Sequence, residues 1–215
     1  MSIEPNRMHV SAIIAAAGLS SRMMAFKPLL PLGDSTVIRR CVHSFQNAGI
    51  EDIVVITGRN ADLLEQHLAP FGVHCVINKD FAATDMFHSI KLGLQNISQD
   101  TNAVFFTPGD IPLFAPESLS SMLRCLWQTT HGVIIPSCDG VRGHPVLIKT
   151  SLIPTLLTYT GKDGLKGALS QPSIQMLILE LEDRGLLLDA DTPADYERLT
   201  SYENNRSMPA DCDIP

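Results

Sequence analysis

Two stretches of this sequence combine residue types that could hold a polyphosphate. In "IIAAAGLSSRMMAFKPLLPLG" (13–33) an apolar run ends in Ala16, Ala17 and Gly18, and two cations, Arg22 and Lys27, follow with no acid among them. Small side chains let a ligand approach the backbone, and the cations can neutralise phosphate. The stretch fits neither the GxxxxGK phosphate loop nor GxGxxG, so it is neither a P-loop nor a dinucleotide fingerprint. In "FFTPGDIPLF" (105–114) one carboxylate, Asp110, follows a wholly apolar run. An acid there either closes an Asx turn or holds Mg²⁺, which binds one or two carboxylates and takes its other ligands from phosphates and water. Taken alone, the first stretch also reads as a strand-ending glycine with two solvated cations. Together, a cationic loop and a strand-end carboxylate are what a nucleoside triphosphate site needs.

The elements that must position them follow from hydrophobic periodicity. "HVSAIIAAA" (9–17), "DIVVIT" (52–57), "VHCVI" (73–77), "AVFFT" (103–107) and "GVIIP" (132–136) read as strands buried on both faces. Between them, residues 35–49 place Val37, Ile38, Cys41, Val42 and Phe45 on one helical face, with a Ser/Thr start and Gly49 as a stop. Residues 115–127 carry Pro116 in the first turn and Leu119, Met122, Leu123 and Leu126 at helical spacing. "DTPADYERL" (191–199) starts a helix with Thr192 as cap and Pro193 at its first position. This alternation predicts a mostly parallel sheet with helices on both faces, a three-layer α/β/α architecture. In such sheets ligands bind beyond the carboxyl ends of the strands, where both stretches fall.

The chain is long enough for one substantial core, so a single domain over 8–203 is expected, with a polar, disordered tail over 204–215. A net charge of -7 argues against nucleic acid and anionic membrane surfaces as partners. No apolar run reaches the length of a membrane span, and the N-terminus lacks the pattern of a signal peptide. The five scattered cysteines (Cys41, Cys75, Cys125, Cys138, Cys212) lack CxxC spacing and read as reduced thiols of a cytoplasmic protein. His9, His43, His67, His74 and His131 show no ligand spacing.

"AAAGLSSRM…FKPLLPLG" resembles the AAGxSxRMGxxK signature of small nucleotidyltransferases, and "PGDIP" resembles their metal-binding strand end. "GHPVLI" (143–148), "GKDGLKGAL" (161–169) and "LLLDADTPADY" (186–196) are similar to downstream motifs of the CTP:molybdenum cofactor cytidylyltransferases, within the MobA-like superfamily. The resemblance spans about residues 10–200. It implies a Rossmann-like, glycosyltransferase-A-like fold and CMP transfer from CTP to the terminal phosphate of molybdopterin. It also implies Mg²⁺ as cofactor and a molybdenum hydroxylase or its maturation factor as recipient. By the same resemblance, backbone around Ala16, Ala17 and Gly18 holds the nucleotide, Arg22 and Lys27 bind its phosphates, and Asp110 binds Mg²⁺. Of Asp189 and Asp191, which bracket Ala190, one is a candidate second carboxylate behind the metal, Asp189 first, and the other reading is capping of the last helix. His88, Ser89, Gly143, His144 and Asp163 are candidates for the second substrate; His144 reads equally as a brace for a turn, and His88 as a solvated residue beside Ser89. Ala17 stands where the related guanylyltransferases carry glycine, which favours CTP.

The chain departs from the pattern twice: Met24 replaces the family glycine, and "TDMFHSI" (84–90) keeps Met86 and Ser89 but not the glycine of that segment. Met23, Met24 and Met86 are expected to pack rather than touch substrate. Asp191, beside the cap, is expected to serve the last helix. Two other functions compete with this reading. One is a sugar- or polyol-phosphate cytidylyl- or uridylyltransferase, against which the GHP and DADTP motifs count. The other is a non-catalytic chaperone that delivers the finished cofactor, which Met24 favours.

Overall fold

Runs of β-branched residues build a sheet whose strands are buried on both sides. The computed structural model describes residues 8–18, 23 and 25–207. Arg22, Met24 and Cys212, singled out above, lie outside them. In chain order come β1 (His9–Ala15), a 3-10 turn (Lys27–Leu29), a hairpin of β2 (Pro31–Leu32) and β3 (Ser35–Thr36), and α1 (Val37–Gln46). Then follow β4 (Asp52–Thr57), α2 (Ala61–Leu68), β5 (His74–Ile77), α3 (Met86–Leu94), β6 (Thr101–Pro108) and α4 (Pro116–Gln128). The remainder is β7 (Val133–Cys138), β8 (Val141–Arg142), β9 (Val146–Lys149), α5 (Ile153–Thr158), α6 (Gly164–Leu169), β10 (Met176–Glu180) and α7 (Pro193–Ser207).

The main sheet runs in the order β10-β7-β9-β6-β1-β4-β5, with β8 paired to β7. Its pairings β1–β4, β1–β6, β4–β5 and β10–β7 are parallel, whereas β9 runs antiparallel between β6 and β7. β9 grows out of "GHPVLI" through a cis His144–Pro145 bond. Its short apolar run carries no periodicity that would set it apart from a loop, and so it was not among the expected strands.

Alternate residues along each strand face opposite helical layers. Ala12, Ile14, Val55 and Phe105 pack under α1, α2 and α4, where Phe45, Leu64, Leu68, Leu119 and Met122 are buried. Ile13, Val54, Ile56, Val104 and Phe106 pack under α3, α5 and α6 against Phe87, Ile90, Leu94, Leu156 and Ala168. α3 lies close on β1, since a Cβ at Gly93 would stand 2.5 Å from Ile13 Cγ2. That contact sets where the first turn of α3 meets the strand ends.

Two local expectations are corrected. Thr36 stands at the start of α1, but its hydroxyl bonds His67 Nε2 at 2.8 Å instead of capping the helix. The last helix runs past the expected domain boundary at 203, to Ser207. Glu203 is buried and pairs with Arg40 (Nη2 to Oε1, 2.5 Å), and Arg206 Nη1 donates to the Leu113 carbonyl at 2.7 Å. These long-range contacts hold residues 204–207, expected to be disordered, in α7.

Candidate functional site

The parallel strands β1 and β6 stay paired to their carboxyl tips, with the Gly109 amide donating to the Ala15 carbonyl at 2.8 Å. The Ala16 amide likewise reaches the Ile56 carbonyl at 2.8 Å, which continues β1 toward β4. Where the three strands end, a cleft of about 310 Å³ opens. Ala15, Ala16, Ala17 and Gly18 line one side, Pro108, Gly109 and Asp110 another, and Phe81, Thr84, Asp85, Met86 and Ser89 the rim before and within α3. Ala16 and Ala17 are buried, while a Cβ at Gly18 would meet no atom of the described residues within 4 Å. No described residue therefore requires glycine at 18, which lines the cleft.

Lys27 is the described cation of the cleft. It begins the 3-10 turn, with Pro28 next to it fixing φ, and the Leu30 amide closes back on its carbonyl at 3.1 Å. Its ammonium lies 3.0 Å from Asp110 Oδ2 and 2.5 Å from Asp191 Oδ1. Burial works to lower the Lys27 pKa, but the hydrogen bond to Asp191 and the charge of Asp110 outweigh it and raise the value. The ammonium is thus firmly protonated at neutral pH.

Asp191 is the functional candidate that sequence reading assigned elsewhere. The cap of α7 is Thr192, whose hydroxyl accepts from the Asp195 amide at 3.2 Å while Asp195 Oδ2 accepts from the Thr192 amide at 3.0 Å. Freed from capping, Asp191 turns into the cleft. Asp189, expected as the second carboxylate, does not line the cleft: its Oδ1 accepts from the Asp191 amide at 3.2 Å. Burial, and then the charges of Asp110, Asp191 and Asp195, raise its pKa against the opposing amide bond. Between the two acids Ala190 is fully buried, and its amide donates to the Asp110 carbonyl at 3.1 Å. This bond docks the DADTP loop on the β6 tip and decides which acid faces inward.

A buried carboxylate far from the cleft holds this loop. Asp183 accepts from the Ala115 amide (2.8 Å), the Ser118 hydroxyl (2.7 Å) and the Gly185 amide (2.9 Å). It thereby caps α4 and pins the 3-10 turn Arg184–Leu187 against Leu113, so closely that a Cβ on Gly185 would stand 2.0 Å from the Leu113 carbonyl oxygen.

The residues expected to meet a second substrate are dispersed. Ser89 lines the cleft, buried and bonded to Asn78 Nδ2 at 3.2 Å. His88, one position away on α3, does not line it; its amide is capped by Asp85 Oδ1 at 3.0 Å. Gly143 is a packing glycine, since a Cβ there would lie 2.5 Å from the Leu186 carbonyl oxygen. His144 packs edge-on against Phe106 with centroids 6.0 Å apart. Burial lowers its pKa, opposed by the Phe106 backbone and the Asp110 charge. Asp163 adopts a left-handed backbone (φ 65°) that starts α6. None of these four lines the cleft. Met86, expected to pack, is half exposed on its rim. The i, i+3 spacing of Met86 and Ser89 on α3 was the available signal for this wall.

Gly58 and Phe81 were missed. Gly58 follows β4, and a Cβ there would come within 2.8 Å of Phe81 Cβ and 2.9 Å of the Ala17 carbonyl oxygen. Backbone and aromatic ring close together here form the cleft wall behind Ala17.

A parallel-sheet α/β chain with a lysine–carboxylate cluster beyond its strand ends is the build of a nucleotidyltransferase. The chain belongs to the MobA-like NTP transferase domain family, whose model matches residues 12–176. It is 28% identical over 191 residues to the molybdenum cofactor cytidylyltransferase of Escherichia coli, covering 87% of this chain and 93% of that one. Among solved structures it is similar to Rv0371c of Mycobacterium tuberculosis in complex with manganese (TM-score 0.74, 23% identity, 90% of this chain and 99% of that one). It is likewise similar to CMP:2-keto-3-deoxy-manno-octonic acid synthetase complexed with CTP (TM-score 0.75, 13% identity, 92% and 99%). Among the described residues no helix is long and apolar enough to cross a membrane.

Proposed function

We propose that this nucleotidyltransferase moves CMP from CTP to the terminal phosphate of molybdopterin, releasing pyrophosphate. The observation that carries the reading is the Lys27 ammonium set between Asp110 and Asp191 beside the open backbone of Ala16, Ala17 and Gly18. The 28% identity to the Escherichia coli cytidylyltransferase supports CTP and molybdopterin as the substrate pair.

Charge supports a metal ion. Within the described lining one lysine faces three aspartates, Asp85, Asp110 and Asp191, an acid excess that suits a divalent cation. Among the described residues no three His, Cys, Asp or Glu side chains gather as a closed metal site. Two carboxylates with access to phosphate and water fit Mg²⁺ or Mn²⁺, and the all-oxygen donor set fits them better than zinc. The manganese complex of Rv0371c is in keeping with this. When bound, the ion would supply positive charge to the triphosphate through Asp110 and Asp191.

The protein's own share is positioning. Backbone at Ala16–Gly18 seats the nucleotide, and Lys27, with Arg22, neutralises its phosphates. An oxygen of the acceptor phosphate attacks the α-phosphorus as the bond from that phosphorus to the bridging oxygen of pyrophosphate breaks. The acceptor phosphate is already anionic near neutral pH, so no side chain has to remove a proton. Alignment and charge neutralisation then carry the rate. The test is incubation with each NTP in turn, Mg²⁺ and molybdopterin, with mass detection of the dinucleotide. Pyrophosphate release that does not depend on molybdopterin, or no release with any NTP, would defeat the reading.

A further inference from the structure

The Lys27 ammonium occupies the place where an acid from the middle of the chain and one from its C-terminal part meet. It contacts Asp110 at 3.0 Å and Asp191, 164 residues away, at 2.5 Å. The lysine side chain is only 12% exposed and Asp110 20%, so this is a partly desolvated pair rather than a surface contact. A divalent cation and an ammonium compete for the same carboxylate oxygens. If the ion alone took them, Lys27 would be left half-buried without its counter-charges, a costly state. An arriving triphosphate removes that cost because it offers the ammonium new anionic partners. The Lys27 backbone is held by Pro28, itself buried, and by the turn bond from Leu30. The exchange swings its long side chain.

Resting on the functional reading above, we propose that Lys27 is the resident counter-ion of the Asp110–Asp191 pair. It yields these oxygens to a divalent cation only as it transfers to an incoming triphosphate. Metal and nucleotide binding are then interdependent, and each tightens the other by the same factor. Lys27 has two successive roles, guarding the carboxylates and then holding phosphate.

The experiment titrates Mn²⁺ into the full chain, reading the free ion by electron paramagnetic resonance, with and without the non-hydrolysable α,β-methylene analogue of CTP. Wild type is expected to bind Mn²⁺ weakly alone and about tenfold or more tightly with the analogue. Lys27→Met and Lys27→Gln, checked for unchanged melting temperature, should bind Mn²⁺ alone about tenfold or more tightly than wild type, the scale of one unit charge removed at this range. The analogue should tighten Mn²⁺ less in these variants than in wild type. Equal or weaker Mn²⁺ binding by either folded variant would overturn the counter-ion role and leave the functional reading standing. No Mn²⁺ binding by wild type even with the analogue would overturn both.

Discussion

Gly18→Ala separates a glycine kept for a ligand from one kept for the fold. Its φ lies outside the left-handed region, and a Cβ built there meets no atom of the described residues within 4 Å. Alanine therefore fits the folded chain and restricts the unfolded one, which should raise stability by about 0.4–1 kcal/mol. For a chain of this size that is a melting-temperature rise of about 1–4 °C. The same methyl group projects into the cleft, where phosphate or ribose would press on backbone amides. Displacing that contact should weaken CTP·Mg²⁺ binding about 10- to 100-fold, or roughly 1.4–2.7 kcal/mol. Gly58→Ala is the control, because its Cβ would sit 2.8 Å from Phe81 Cβ and 2.9 Å from the Ala17 carbonyl oxygen, so stability itself should fall by about 1–3 kcal/mol. Differential scanning calorimetry and isothermal titration read the two effects separately. Unchanged CTP affinity in Gly18→Ala would refute the view that the nucleotide lies on this backbone, and a clear drop in its melting temperature would show that the space is not free.

Asp110→Asn should keep the fold and lose most turnover, since the change is nearly isosteric but removes a charge facing Lys27; activity within a few-fold of wild type at saturating Mg²⁺ would count against it. Asp191→Asn should behave likewise, whereas Asp189→Asn should leave turnover nearly intact and stabilise the chain at pH 7. The sign follows from the raised Asp189 pKa: the folded state disfavours its carboxylate, a penalty absent below the unfolded pKa and complete above the folded one. Melting temperatures of Asp189→Asn and wild type should therefore converge as pH falls toward 3, and divergence there would contradict the assignment. Asp183→Ala strands three donors, two of them backbone amides, and should cost about 3–5 kcal/mol. That corresponds to a melting-temperature loss of roughly 10 °C; a loss under 2 °C would mean that water replaces the carboxylate.

Much of the frame was legible because it is local. A strand buried on both faces must be apolar throughout, so β1, β4 and β6 declared themselves, and the face Val37–Phe45 marked α1 by its spacing alone. The cluster of Ala16, Ala17, Gly18, Lys27 and Asp110 was readable for the same reason: strand ends in a parallel sheet share one edge, so residues just after them converge. β9 was hidden because three apolar residues and a lysine carry no period. The end of α7 was hidden because Glu203 and Arg206 reach Arg40 and the Leu113 carbonyl, partners remote in sequence. The choice between Asp189 and Asp191 shows the boundary most sharply. Both acids flank one alanine and look alike in sequence. Burial of Ala190 and its amide bond to the Asp110 carbonyl turn Asp191 toward Lys27 and leave Asp189 on a backbone amide. The sequence determined which chemical groups reach the strand edge; tertiary packing across 164 residues decided which of them meet, because contact at that separation depends on the whole sheet and its loops being assembled.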